Sequence, residues 1–378
     1  MKITITGAGI AGLTAAIAFS KAGYETTVFE AAPTLSPVGA GLGLAPNAIN
    51  ALAVLDIADD IIPIGRRLPH FRILDRSGRV ISENDSDIIG RKFGLDNFTI
   101  HRRHLHDALL GGVDAASIHT GKKAIDLEND GSQVRLHFAD GTSYKTDYLI
   151  VADGINSKLR QKVAPHAQKR YAGYTCWRGV IDHAGALADG ASETWDTTGR
   201  FGIVPLPDEQ LYWFACVAAE AGDARYRTFL PENLAQRFAH FHDPVPEILS
   251  RAQGRPLFHH DIYDLAPLDH YAYGNILLIG DAAHCATPNM GQGACQAIED
   301  AAILYTELRK DISLEEAFIA FENRRLERTQ YIISQSRKIG SLAQIGNPLL
   351  AGLRNAALRL APASLREKQF EKLYNVTF

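Results

Sequence analysis

Three glycines, at positions 7, 9 and 12, stand between two short apolar runs, and Glu30 closes the second run. Gly7-x-Gly9-x-x-Gly12 follows Ile3-Thr4-Ile5-Thr6, a β-branched strand, and opens a helix from Leu13 to Ala22 that Gly23 stops. Tyr24–Phe29 then reads as a second strand. Each glycine has a chemical use. Gly7 allows a tight turn, Gly9 lets the backbone approach a pyrophosphate, and Gly12 lets the helix lie on the strand. Ile10 and Ala11 fall in the same turn, where free N–H groups of a helix start suit phosphate oxygens. Glu30, with Ala31 beside it, lies about 20 residues on, where a carboxylate takes both hydroxyls of a ribose. An acid there disfavours a 2′-phosphate, so the adenosine ligand is FAD or NAD rather than NADP. These residues alone do not choose between the two.

Two later segments repeat the pattern of a buried strand running into a polar turn. Asp147–Ala152 feeds Asp153-Gly154 and a helix start that reaches Arg160. Ile276–Ile279 feeds Gly280-Asp281, then Pro288, then Gly291-Gln292-Gly293-Ala294 and a helix from Cys295 to Leu308. A carboxylate at a strand end can hold polyol hydroxyls. A glycine-flanked helix start offers N–H groups and a positive dipole to a developing anion. Reduced flavin carries such an anion at its N1–C2=O edge, so these segments favour FAD.

With three fingerprints in this order, the chain resembles the single-component (class A) FAD-dependent monooxygenases of the para-hydroxybenzoate hydroxylase type. Within them it is similar to the subgroup of urate hydroxylases and zeaxanthin epoxidases. The resemblance implies an α/β fold: a Rossmann-like FAD-binding domain, an inserted mixed β-sheet substrate domain, and C-terminal helices. It implies that Glu30 binds the adenosine ribose, Asp281 the ribityl chain, and the N–H groups of Gly291 to Ala294 the flavin ring. It assigns Asp153 and Arg160 to the pyrophosphate region and the encounter with NAD(P)H. Arg102 would reach the ribityl–phosphate part, Gly41 and Gly43 would pass close to the flavin, and the Ala124 backbone would meet the adenine. Cys295 stands where many members carry Asn and another subgroup carries Cys. Only one dinucleotide fingerprint is present, so NADH or NADPH is expected as a transient visitor. The implied reaction hydroxylates or epoxidises a small aromatic or unsaturated substrate with O₂, through a C4a-hydroperoxide of the flavin. An oxidase, dehydrogenase or reductase on the same fold is the alternative. The halogenase signature W-x-W-x-I-P does not occur.

These motifs need elements to hold them. The 378 residues suffice for two or three domains. Residues 1–67, 99–170 and 266–340 are expected to form the FAD-binding domain, and 68–98 and 171–265 the substrate domain. Residues 341–378 would be a C-terminal helical segment. The middle region alternates apolar and polar residues between turn signals, as a sheet does, and it holds Trp177, Trp195 and Trp213. Arg178, Arg200 and Tyr212 are its candidates to face the substrate. The last two also match pocket residues of urate hydroxylases by resemblance.

Other features carry less. A net charge of -4 with no charge runs argues against nucleic acid. Four cysteines without a C-x-x-C pair fit a reducing cytoplasm. The apolar N-terminus is broken by its glycines, so it reads as strand–helix–strand rather than a leader, and no apolar run is long enough to insert stably in a membrane. His101, His104 and His106 lack Cys or carboxylate neighbours at ligand spacing, so no metal is expected. His284 is read as a structural hydrogen-bonding residue. Glu322–Arg328 is read as the solvated face of a long helix. The tail from Asn347 to Leu360 is expected to dock on the body of the protein or on a second subunit, giving a monomer or homodimer.

Overall fold

The computed structural model describes residues 1–35, 41–94, 96–182 and 187–378. Leu95 and residues 183–186, within the two expected substrate-domain ranges, lie outside the described residues, as do residues 36–40. The first strand, Ile3–Thr6, is buried at all four positions. It sits inside a six-stranded sheet, paired in parallel with Thr26–Phe29 on one side and Tyr148–Val151 on the other. Ile276–Leu278 adds in parallel beyond Tyr148–Val151. Burial of Ile3, Thr4, Ile5 and Thr6 alike is what a strand covered on both faces shows, with β-branched threonines standing in for apolar residues. The parallel order means that the carboxyl ends of these strands open on one side of the sheet.

A second, seven-stranded sheet is drawn from residues 70–85 and 169–265. It is antiparallel except where Ala191–Asp196 runs parallel to His70–Asp75. Side chains alternate across it. Trp177, Phe201, Ile203 and Trp213 point to one face and pack with Leu234, Phe238, Ile248 and Leu249 of two short helices. Even-numbered neighbours such as Tyr174, Cys176, Arg178, Arg200 and Tyr212 therefore belong to the other face.

Two helices bind these parts together. Gly293–Leu308 packs on Ile10–Lys21, with Ile298, Ala301, Ala302 and Leu304 buried. The 30-residue helix Leu314–Ala343 starts at a capping box, in which Ser313 Oγ accepts from Glu316 N–H and Glu316 returns the bond to Ser313 N–H. Its far end reaches the second sheet. There Arg337 and Arg170 both bond the wholly buried Asp264 carboxylate, at 2.9 Å each.

The charged stretch of that helix is not a solvated face. Arg325 is wholly buried and pairs with Glu299 and Asp300. Arg328 pairs with Glu299, Arg324 with Glu307, and Glu322 accepts from the Tyr271 and Ala272 N–H groups. Buried carboxylates on the neighbouring helix demand these cations, because an unpaired buried charge is costly. In the tail, helix Pro348–Leu360 docks through Ala351 and Arg354, while Leu349, Leu353 and Leu360 stay exposed.

Candidate active site

The three sequence motifs meet because their strands are neighbours. Gly7–Gly12, Asp153–Arg160 and Gly280–Asp281 leave the same ends of three adjacent parallel strands. Such strand ends are where open α/β sheets bind ligands. Gly7 has φ +94°, and a Cβ there would lie 2.5 Å from the Ala152 carbonyl oxygen. Gly280 has φ +58°, and its Cβ would lie 2.6 Å from that of Ala11. The turns thus interlock through the absence of side chains.

At Gly9, Gly154, Gly291 and Gly293, by contrast, nothing of the protein lies within 4 Å of an added Cβ. Helices Ile10–Lys21 and Gly293–Leu308 both begin without a side-chain cap, which leaves N–H groups for another acceptor. Asp281 is exposed at the strand end, as are Pro288, Gly291 and Gly293 of the following turn, with Ala294 half-buried. Gln292 is buried and accepts from Asn47 and Gln296 at 3.0 Å each. Glu30 receives the N–H groups of Ala8 (2.7 Å) and Ala32 (2.8 Å). Its own carbonyl accepts from Lys122, which brings the Ala124 segment beside it. Strand Gly41–Leu44 pairs with Phe98–His101, the strand that leads into Arg102. Arg102 itself is exposed. The Cys295 thiol ties the ensemble, bonding the Gly43 carbonyl at 3.6 Å and the Gly291 carbonyl at 3.7 Å.

Two motif residues show how their turns are built. Arg160 is wholly buried, donating to the carbonyls of Ile155 (2.7 Å) and Ala282 (3.3 Å). It stitches the Asp153 and Gly280 turns together from behind. Asp153 has one carboxylate oxygen buried without a partner. Burial raises its pKa from 3.8 to about 6, against the pull of Ser157 and Arg160. A carboxyl raised in the fold destabilises the protein once it ionises. The penalty is absent below the ordinary carboxylate range and complete above about pH 6. The apoprotein of Asp153→Asn should therefore exceed wild type in stability by about 1–2 kcal/mol at pH 7.5, with the gap closing towards pH 4.5. Urea denaturation at both pH values checks this; a gap that does not change with pH would discard it.

Above the turns lies the even-numbered face of the second sheet. Tyr212 abuts the backbone at Gly41, where an added Cβ would come 3.0 Å from the tyrosine Cβ. Trp213, its neighbour, packs in the core against Phe201 instead. Arg200 is 2% exposed and fully engaged at its terminal nitrogens: Glu193 accepts at 2.8 Å and Asn289 at 2.6 Å. It is neither a surface arginine nor a free substrate ligand; it anchors the Pro288–Met290 turn to the roof. Tyr174 and Ser336 hold the same Asn289, and Gly340 leaves the room it needs. Arg178 differs. Its cross-strand partners are Phe214 and Phe258, the Cys176 thiol and the Tyr212 phenol act on its charge, and among the described residues no carboxylate pairs with it.

The histidines are structural. The His106 ring donates to the Ala8 carbonyl at 2.8 Å, His101 caps Arg103 N–H, and His284 bonds Asp300 at 2.7 Å. No metal-binding cluster occurs among the described residues.

Residues 1–336 match the family described as an FAD binding domain. The chain is 35% identical, over 95% of its length and 94% of the relative's, to the aurachin C monooxygenase/isomerase of Stigmatella aurantiaca. The chain belongs to the class A FAD-dependent monooxygenases. It is also 33% identical to the 2-heptyl-3-hydroxy-4(1H)-quinolone synthase of Pseudomonas aeruginosa, across 99% of this chain and 98% of that one. The Klebsiella pneumoniae HpxO structure with FAD and uric acid superposes with a TM-score of 0.90, at 29% identity, over 98% of this chain and 95% of that one. The monooxygenase's own residues fit FAD: glycine turns with open backbone, uncapped helix starts and an exposed carboxylate at a strand end. Held there, FAD would supply the redox chemistry of the family, with NAD(P)H as reductant and O₂ as the oxygen source. No helix among the described residues is long and apolar enough to cross a membrane.

One positioning network was not read from the sequence. Gln292, Asn47, Gln296, Glu299, Arg325, Asp300 and His284 form a continuous buried set, closed on one side by the half-buried Arg328. It ends on the Gly280 N–H, which donates to Asp300 at 2.7 Å. The signal was available: Glu299-Asp300 interrupts an apolar helix, and two buried acids need a cation.

Proposed function

We propose that this monooxygenase hydroxylates a planar nitrogen heterocycle that binds as an anion, with Arg178 as its countercharge. The six-stranded sheet with its helices is taken as the FAD-binding domain and the seven-stranded sheet as the substrate domain. Gly7 to Gly12, Glu30 and Ala31 take the adenosine diphosphate part of FAD, beside Asp153 and Ala124. Asp281, Arg102, Gly41, Gly43 and Gly291 to Ala294 take the ribityl chain and ring.

The observation that carries the substrate class is Arg178: a guanidinium on the cleft face, beside Tyr212 and Phe214, without a carboxylate partner among the described residues. Aromatic walls with one aimed charge suit a flat ionisable ring. The named relatives fit this reading, since urate and a 3-hydroxy-4(1H)-quinolone are both nitrogen heterocycles bearing ring oxygens. The roof would exclude water, Arg178 would hold the ring's electron-rich form, and Tyr212 would fix its plane. We place the enzyme in the cytoplasm on its cysteine usage, as a monomer or, through the exposed Leu349, Leu353 and Leu360 of the tail helix, a homodimer.

The test is a screen of 4(1H)-quinolones, urate and hydroxybenzoates for stimulated NAD(P)H oxidation, followed by ¹⁸O₂ labelling of the product. Stimulation by neutral alkenes alone would overturn the substrate class. Product free of label would favour an oxidase or reductase instead. Arg178→Gln should raise KM for the responding heterocycle about 10–100-fold, the worth of one charge-assisted hydrogen bond. An unchanged KM, measured with equal FAD content, would remove Arg178 from the site.

A further inference from the structure

The cleft-facing side of the second sheet carries two thiols that nothing above uses. Cys176 and Cys216 are direct Cα partners on the antiparallel strands Lys169–Ile181 and Leu211–Ala218. Residues opposed in this way have Cα atoms about 4.5–5.5 Å apart, within the range of about 4.4–6.8 Å that a disulfide spans. Both side chains share the face of Tyr212 and Arg178, where the Cys176 thiol donates to the Trp177 carbonyl at 3.5 Å and both thiols pack with Tyr174 and Ile262. Both are free and 1% exposed.

Their surroundings suit thiolate chemistry. The facing Cys216 thiol and the charges of Arg178 and Arg200 lower the Cys176 pKa, while burial raises that of Cys216. Cys176, two residues from Arg178 on the same strand face, is taken as the nucleophile, with Cys216 directly opposite to resolve it. Cys285 and Cys295 offer an internal contrast, since burial pushes both thiols up and no other thiol opposes them among the described residues.

We propose that Cys176 and Cys216 form a peroxide-sensitive dithiol that closes into a disulfide in the roof and weakens binding of the ring substrate beneath it. The oxidant is hydrogen peroxide. A flavin monooxygenase makes it whenever turnover misses the organic substrate: NAD(P)H, a proton and O₂ give NAD(P)⁺ and H₂O₂. The Cys176 thiolate attacks one peroxide oxygen, the O–O bond breaks, and hydroxide leaves to take up a proton as water. Cys216, giving up its proton, attacks the resulting sulfenic acid at sulfur and expels the second oxygen as water. Two thiols lose two electrons, the peroxide gains them, and a reducing thiol reverses the change. The bond would act on the site through two neighbours. Cys216 is the cross-strand partner of Arg200, which holds the Pro288–Met290 turn through Asn289, and Cys176 lies two residues from Arg178 on the same strand face.

The effect on binding rests on the substrate class proposed above; the disulfide itself does not. The FAD-loaded full-length enzyme is treated with excess hydrogen peroxide, alkylated under denaturing conditions, digested and mapped by mass spectrometry. The expected result is a Cys176–Cys216 cross-linked peptide, with Cys285 and Cys295 alkylated. With 2-heptyl-4(1H)-quinolone as the probe, KM should rise at least about fivefold, reversed by dithiothreitol. Cys176→Ser and Cys216→Ser, each compared with its own untreated form, should lose both responses. Full alkylation of Cys176 and Cys216 after peroxide overturns the site. A disulfide that leaves KM unchanged, or a KM change that persists in both variants, overturns its consequence. Should the serine variants fail to fold, the wild-type peptide map still decides. A reduced enzyme that ignores the quinolone counts against the substrate class alone.

Discussion

Replacing Arg325 with Met should cost about 3–5 kcal/mol of stability, the usual loss when one partner of a buried charge pair is removed. Arg325, Glu299 and Asp300 are all wholly buried. The guanidinium donates to Asp300 (2.7 Å), Glu299 (2.5 Å) and the Gln296 side chain (2.7 Å). Burial alone would raise both carboxyl pKa values. For Glu299 the charges of Arg325 and Arg328 outweigh it, and for Asp300 those of His284 and Arg325, so both stay lowered. Without Arg325, Glu299 keeps Arg328, but Asp300 keeps only His284 and the Gly280 N–H. The sign in pH follows. A lowered carboxyl stabilises the wild type above the ordinary carboxylate range, and that stabilisation is lost as pH falls through the folded pKa. In the variant the unmatched carboxylate gains from protonation, so the deficit should shrink on acidification. FAD should also bind at least about tenfold more weakly, because Gly280 and Gln292 lose their support. Urea denaturation and retained flavin absorbance measure both effects, with the exposed Lys338→Met as control, expected within about 0.5 kcal/mol of wild type. A loss under 1 kcal/mol would show that the network does not hold the turn.

What the sequence disclosed and withheld divides along a physical line. Local rules made the glycine turn and the strands around it legible, since Gly7, Gly12 and Glu30 act within thirty residues of one another. The ends of Tyr148–Val151 and Ile276–Leu278 were recognisable as turns for the same reason. Helix faces were harder. Arg325 sits among charged neighbours, and nothing in Glu322–Arg328 says that its partners are Glu299 and Asp300 on another helix. Alternation in the second sheet separated Tyr212 from Trp213 in principle. Which face covers the cofactor depends on contacts such as Tyr212 with Gly41, some 170 residues apart. Arg200 was singled out for the right neighbourhood, yet its charge is consumed by Glu193, a pairing that only the strand register displays.

Gly9→Ala and Gly12→Ala should fail in opposite ways. At Gly12 an added Cβ would lie 1.8 Å from the Gly7 carbonyl oxygen, which is backbone and cannot move aside. That variant should not accumulate as folded protein, with or without FAD in the medium, because helix Ile10–Lys21 could no longer lie on its strand. At Gly9 the backbone is ordinary, with φ -77° and ψ -173°, and nothing of the protein meets an added Cβ within 4 Å. The chain itself therefore has no use for glycine there; a ligand pressed against the backbone does. Gly9→Ala apoprotein should match wild-type apoprotein to within about 0.5 kcal/mol. Its affinity for FAD should fall about 10–100-fold, since a methyl forced into a packed contact costs about 1–3 kcal/mol. Circular dichroism of the two apoproteins and flavin titration by fluorescence separate the effects. A Gly9→Ala protein purified with its full complement of FAD would move the pyrophosphate away from this turn and dissolve the arrangement built on it. A well-folded Gly12→Ala protein would show that the helix does not need the close approach to Gly7.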